Sequence, residues 1–434
     1  MENFEKTKNW VKNSITLKLA IISILALLML IPANMIRNLI QERERTRDTV
    51  ISEISDTWGN GQTIAGPVLS LPYKYVVIVN DKPKEMIDYV HVLPDNLDIS
   101  GEIFPDTRYR GIYKVIVYQS KLSFKGKFKP VDMEKLKISG QDILWDEAFL
   151  SIGIPDMKGI NDKIEIKWNN ESLLGEPGIK VKDVISSGVS CDLSIEPEKE
   201  NNFSFIIDIN GTEYLNFYPL GKETIVDLKS TWANPSFSGS FLPDERTISP
   251  EGFSAHWKVL HLNRNYPQQW TGKSYQIQGS DFGVILLMPV DQYLKSLRSV
   301  KYAIMFIALT FIIFFFIEVL TKNKVHPVQY LLVGIALCVF YSLLISLAEH
   351  IGFNLAYLIS GLAIIIMIFL YSLSVFKEKK HAVVMGIVLT LLYVFLFTVL
   401  QLADYALVLG NIGLFVVLGL IMLYSRKIDL YRQE

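Results

Sequence analysis

Residues 342–360, SLLISLAEHIGFNLAYLIS, decide how this chain is read. Glu349 and His350 stand side by side in them, yet nothing charged lies between Val328 and Ala348 or between Ile351 and Phe376. Each flank reaches the ~20 apolar residues that a helix needs to cross a bilayer core. The pair therefore marks the turn between two spanning helices, at the depth of headgroups or water. It does not sit in mid-membrane.

The same test applied outward predicts six spans, at 19–36, 302–320, 328–348, 351–376, 382–403 and 405–425. Lys6, Lys8 and Lys12 precede the first, as they would a cleaved leader. Its apolar run is long, however, and IPANMIRN puts Ile31 at the −3 position of the best cleavage site, so a retained anchor is expected. Lys322 and Lys324, then Lys377, Lys379 and Lys380, then Arg426, Lys427 and Arg432 fall in alternate loops and the tail. EHIGFN and QLAD, between them, carry no Lys or Arg. The positive-inside rule then predicts cytoplasmic termini and a periplasmic segment at 38–300.

The expected layout has a cytoplasmic N-terminus at 1–14, a first span at 15–37, and an amphipathic helix or stalk at 38–61. A periplasmic β-rich domain at 62–300, a five-helix bundle at 301–425 and a cytoplasmic tail at 426–434 follow. The stalk reading rests on Ile36, Leu39, Ile40, Val50, Ile51, Ile54 and Trp58, which approximate one helical face, with Gly59 and Gly61 as the stop. The fold class is thus an α-helical bundle of six transmembrane helices with a large inserted all-β domain, sandwich-like and antiparallel. In KLSFKGKFK, Leu122, Phe124 and Phe128 alternate with Lys121, Ser123, Lys125 and Lys127, the period of a half-buried strand. Asn210-Gly211 predicts a tight hairpin.

Half of the 434 residues are hydrophobic and the formal net charge is −1, which leaves no nucleic-acid footprint. Cys191 and Cys338 fall in regions of opposite character and predict no disulfide; Cys191 lies on the apolar phase of Val189, Leu193 and Ile195. Several motifs stop short. QQWTGKS ends like a phosphate-binding loop, but Pro267 stands where its first glycine belongs. GNGQTIAG places Ile64 at the third glycine of a dinucleotide fingerprint, and His256 replaces the last glycine of a nucleophile elbow in GFSAH. His256 and His261 are five apart, on opposite faces of a strand, and make a poor metal pair. SLAEH has Ser346 where H-x-x-E-H requires a ligand. Glu318, acidic within a span, is expected to pair with Lys322. No cofactor, metal or catalytic residue is expected.

WGNGQTIAGPVLSLPY, FYPLGKETIVDLKSTWANPSFSGSFLP, GFSAHWKVLHLNRNYP and HPVQYLLVGIALCVFYSLLISLAEHIGFNLAYLIS, with further ordered stretches to the C-terminus, resemble the CreD family of inner-membrane proteins. The resemblance implies a bacterial inner-membrane protein with a periplasmic domain, tied to envelope integrity and stress tolerance. It implies no reaction. The expectation is a non-enzymatic protein whose β-domain binds an envelope protein or glycan, with the lipid bilayer as its other partner; a transporter is the alternative, and an outer-surface metal hydrolase ranks third. Glu349, His350 and Asp404, with Arg37, Arg298 and Lys301, fall at the outer boundary and are candidates for docking the β-domain onto the bundle. Ordinary solvated turns are the plain alternative.

Overall fold

The structure is a computed structural model that describes residues 15–286, 288, 292–321, 325–376, 378–402 and 405–425. It divides into two compact units, Asp48–Pro289 and a second made of Met1–Arg47 with Val290–Glu434.

The first unit is all-β apart from the end of one helix and a few short turns. Four long strands come first: β1 Gln62–Val79, β2 Lys82–Val92, β3 Asn96–Arg110 and β4 Tyr113–Phe128. β1 and β2 belong to a nine-stranded sheet, β3 and β4 to an eight-stranded one. The inner faces of both feed one hydrophobic core. The alternation read in KLSFKGKFK holds: Leu122, Phe124 and Phe128 are buried while Lys121 and Lys125 are exposed. Phe124 stacks on Phe205 of the neighbouring strand, with ring centroids 4.8 Å apart. Cys191 is buried among Val189, Leu193 and Ile195, and burial pushes its thiol up to about 11.

Two expectations fail. The domain is not purely antiparallel, since β1 pairs in parallel with Tyr214–Phe217 and β3 with Glu223–Ser230. The chain repeatedly crosses from one sheet to the other and re-enters in the same direction. Nor is Asn210-Gly211 a hairpin. The strand Asn201–Thr212 runs straight through it, pairing Asn210 with Gln119 and Gly211 with Tyr118. The change of sheet comes at Glu213, with φ +61°. Gly211 serves close approach instead: a Cβ there would lie 2.3 Å from the Tyr118 hydroxyl, which donates to the Tyr214 carbonyl at 2.7 Å.

The first anchor and the amphipathic run after it form one continuous helix, α1, Leu17–Trp58. It stops where the glycines predict: the Gly59 N–H reaches the Ser55 carbonyl at 2.9 Å and Gly59 takes φ +133°.

The second unit is helical. After α1 come α2 Gln292–Lys301, α3 Ala303–Thr321, α4 Pro327–Ile351, α5 Phe353–Val375, α6 Lys379–Gln401 and α7 Ala406–Ser425. α1, α4, α5 and α6 are each long and apolar enough to cross a membrane. α2 and α3, bent by 43°, form a fifth span if taken together, and Val408–Leu423 is a shorter apolar helix. Glu349 and His350 end α4, and Gly352, with φ +80°, turns the chain into α5. The turn inferred at the outset is there. Leu355, Leu358, Ile359, Leu362 and Ile366 leave one face of α5 exposed, as lipid contact demands.

Candidate functional site

Each sheet sends out a two-stranded ribbon, and the two differ in what covers them. β1 and β2 pair from Leu69 opposite Val92 out to Val79 opposite Lys82. The intervening Asn80 and Asp81 both take positive φ, 53° and 58°, the geometry of a two-residue hairpin turn. Other strands and loops hold only the base, through Phe149–Gly153, the bridge of Tyr73 to Ile143, and Gln269–Thr271. Beyond that, β1 and β2 have only each other. Every residue from Lys74 to Ile87 is exposed.

The chemistry of this free end is unusual for a surface. Tyr75, Val76, Val77, Ile78 and Val79 form an unbroken apolar run, joined across the pair by Met86 and Ile87; Ile78 is 75% exposed. Successive strand residues point to opposite faces, so such a run makes both faces apolar. Both edges also carry unpaired backbone donors and acceptors, the arrangement to which an extended peptide adds by strand pairing. Apart from Lys74, whose Nζ lies 4.0 Å from Glu85 across the pair, the strand charges are Lys82, Lys84, Glu85 and Asp88 on β2.

At the base lies His91, 1% exposed. Its Nδ1 is 3.0 Å from Ser70 Oγ and its Nε2 3.4 Å from Asp183 Oδ2. The carboxylate can only accept, so Nε2 carries the proton and the Ser70 hydroxyl donates to Nδ1. Burial pulls the imidazole pKa down, against the opposing pull of Asp183, and His91 is neutral at pH 7. A Ser-His-Asp chain invites a catalytic reading, but Ser70 is buried within β1 and no substrate reaches it. The network fastens the Asp183 loop to the ribbon base. Lys273 joins it, with Nζ 3.8 Å from Asp183 Oδ1, while the Ser274 hydroxyl donates to the Thr271 carbonyl. The phosphate-loop likeness of TGKS thus resolves into a structural turn.

The other ribbon, the far end of β3 and β4, is covered on its Val115 and Ile116 end while Phe104 and Tyr109 stay exposed. From Phe104 to Ile116 these strands pair only with each other, yet Val115 and Ile116, on opposite faces, are both buried. The last turns of α1 account for part of this cover. Arg108 lies over the Trp58 ring at 4.7 Å, Trp58 Nε1 donates to the Tyr118 carbonyl at 3.3 Å, and Arg110 pairs with Glu53 at 2.6 Å. The WGNGQ turn completes the clamp. The Asn60 amide and side chain donate to Asp156 Oδ2, and Gln62 Nε2 reaches the carbonyls of Asp156 and Asn210. A Cβ at Gly59 would lie 2.9 Å from the Asn210 carbonyl oxygen, so GNG is a close-packing device.

Among the residues singled out from sequence, Glu349 is half-buried and accepts from the Tyr293 hydroxyl at 3.1 Å; His350 is exposed. Arg37 and Lys301 are exposed along one groove and Arg298 is half-buried on α2. Asp404 lies outside the described residues, as does Lys322. Among the described residues no ion pair joins Glu349 or His350 to Arg37, Arg298 or Lys301, and none holds three His, Cys, Asp or Glu side chains placed to share a metal. Glu318, 3% exposed, takes a partner the sequence did not suggest: Lys18 at 2.7 Å, with the Tyr330 hydroxyl at 2.9 Å and the Val325 N–H at 3.2 Å. His256 pairs with Asp227 at 2.8 Å, and His261 leaves the strand to begin a helical turn.

A family model described as "Inner membrane protein CreD" matches residues 14–431. The chain belongs to the CreD family. It is 33% identical over 420 residues to the inner membrane protein CreD of Escherichia coli (strain K12), covering 93% of this chain and 91% of that protein. The apolar helices accord with that assignment: this is a multi-pass inner-membrane protein.

Proposed function

We propose that this CreD-family protein supports envelope integrity and stress tolerance by holding a β-domain in the periplasm and binding an envelope partner there, without catalysis. The observation that carries the reading is the free ribbon, apolar on both faces and open at both edges from Lys74 to Ile87. A water-soluble domain that exposes a contiguous apolar surface of this kind has a use for it. We read the helical unit as six spans with both termini cytoplasmic and the two-sheet domain as a sandwich. The Lys18–Glu318 pair supports this topology, because it brings the start of α1 to the end of α3, as two oppositely directed spans require. The same pair speaks against a proton relay, since Glu318 is held by the cation Lys18, the Tyr330 hydroxyl and a backbone N–H.

The test is complementation. In cells lacking their own copy, Ile78→Asp should accumulate to the normal level and fail to restore tolerance of envelope-acting agents. Full restoration by Ile78→Asp together with Val76→Asp would contradict the reading.

A further inference from the structure

In the helical unit, α1 and the α2–α3 bend enclose a lateral groove of about 590 Å³. Its walls are apolar: Leu30, Ile31, Ala33 and Met35 on one side, Val300, Ala303 and Ile304 on the other. Its polar members are Asn34, Arg37, Asn38 and Lys301. The groove flanks the 43° bend between Gln292–Lys301 and Ala303–Val319, and on α1 it lies where the apolar run gives way to Arg37 and Asn38.

We propose that this groove binds one anionic phospholipid, its phosphate between Arg37 and Lys301 and an acyl chain along the apolar walls. Three observations fix the occupant. Both cations are exposed and neither has an ion-pair partner among the described residues. Guanidinium and ammonium groups at one site match a phosphate, and the amides of Asn34 and Asn38 add donors for its ester oxygens. Ile31 and Met35 are among the most exposed apolar side chains of α1, so the groove opens toward lipid. An acidic peptide would satisfy the cations but leave the apolar walls bare.

The test is native mass spectrometry of the full-length protein released from micelles containing either phosphatidylglycerol or phosphatidylcholine. The wild-type protein should retain one phosphatidylglycerol and at least tenfold less phosphatidylcholine. Arg37→Gln with Lys301→Gln, both at exposed positions, should cut phosphatidylglycerol retention at least tenfold, and Ile31→Trp, which blocks the acyl path, should lower it with the charges intact. Arg298→Gln, a neighbouring cation outside the groove, should change nothing. Equal retention of the two lipids, retention by the double variant, or an equal loss in Arg298→Gln would overturn the proposal. Displacement by millimolar inorganic phosphate would also overturn it, because the site would then hold a phosphate and not a lipid.

Discussion

The two ribbons of the β-domain have the same construction and opposite fates. β3 and β4 extend beyond their sheet and are met by Trp58 and Glu53, with Val115 and Ile116 buried. β1 and β2 extend beyond theirs with no cover among the described residues, and Ile78 is the most exposed of an apolar run. A two-stranded ribbon is marginal in water unless something packs on it. The first ribbon finds that packing within its own chain. The second, more apolar, does not among the described residues, and the proposed partner binding rests on that difference.

The largest effect that separates them is on stability. Trp58→Ala removes a ring from beneath Arg108 and a donor from the Tyr118 carbonyl, and should destabilise the β-domain by about 2 kcal/mol in calorimetry of the solubilised full-length protein. Ile78→Asp should shift it by less than about 0.5 kcal/mol, because an exposed side chain has no packing to lose. Comparable losses from the two would erase the distinction.

Acid should act at the base of the free ribbon. His91 has its pKa depressed in the folded state, so the unfolded chain takes up the proton first. Its contribution is fully present above the unfolded value of about 6.5 and is lost as pH falls below it toward the depressed folded value. Between pH 7 and 5 the wild-type domain should lose stability more steeply than His91→Gln. Parallel pH curves would show that His91 is not the titrating group.

Smaller still is the Arg110–Glu53 pair on the covered ribbon. Its side chains are 59% and 46% exposed, so a double-mutant cycle should give a coupling below about 1 kcal/mol that fades in high salt. A larger, salt-insensitive coupling would make this ion pair, and not Trp58, the main fastening.

Much of this architecture was legible in the residues. Charge-free flanks around Glu349 and His350 placed a turn that Gly352 makes, and the alternation of Leu122, Phe124 and Phe128 placed a strand. Periodicity and hydropathy are local signals, and at these two places the structure follows them. What failed was non-local. Asn210-Gly211 has the composition of a turn, but the hydroxyl of Tyr118, distant in sequence, needs that glycine's missing side chain. The expected Glu318–Lys322 pairing lies outside the described residues, but Lys18, which does meet Glu318, arrives from the other end of the chain and no local pattern points to it. The free ribbon carries a usable sequence signal, Asn80-Asp81 after the β-rich YVVIV, weaker than the Asn-Gly pattern at 210–211. Its exposure was not readable, because an apolar strand looks the same in sequence whether buried or bare.

The central claim is that the free ribbon is a binding surface and the covered one is not. A photo-reactive amino acid placed at Ile78, and separately at Ile112 in the turn of the covered ribbon, tests it in intact cells. One discrete protein adduct is expected from position 78, abolished by Val76→Asp, and none from position 112. No adduct at 78, or the same adducts from both positions, would contradict it.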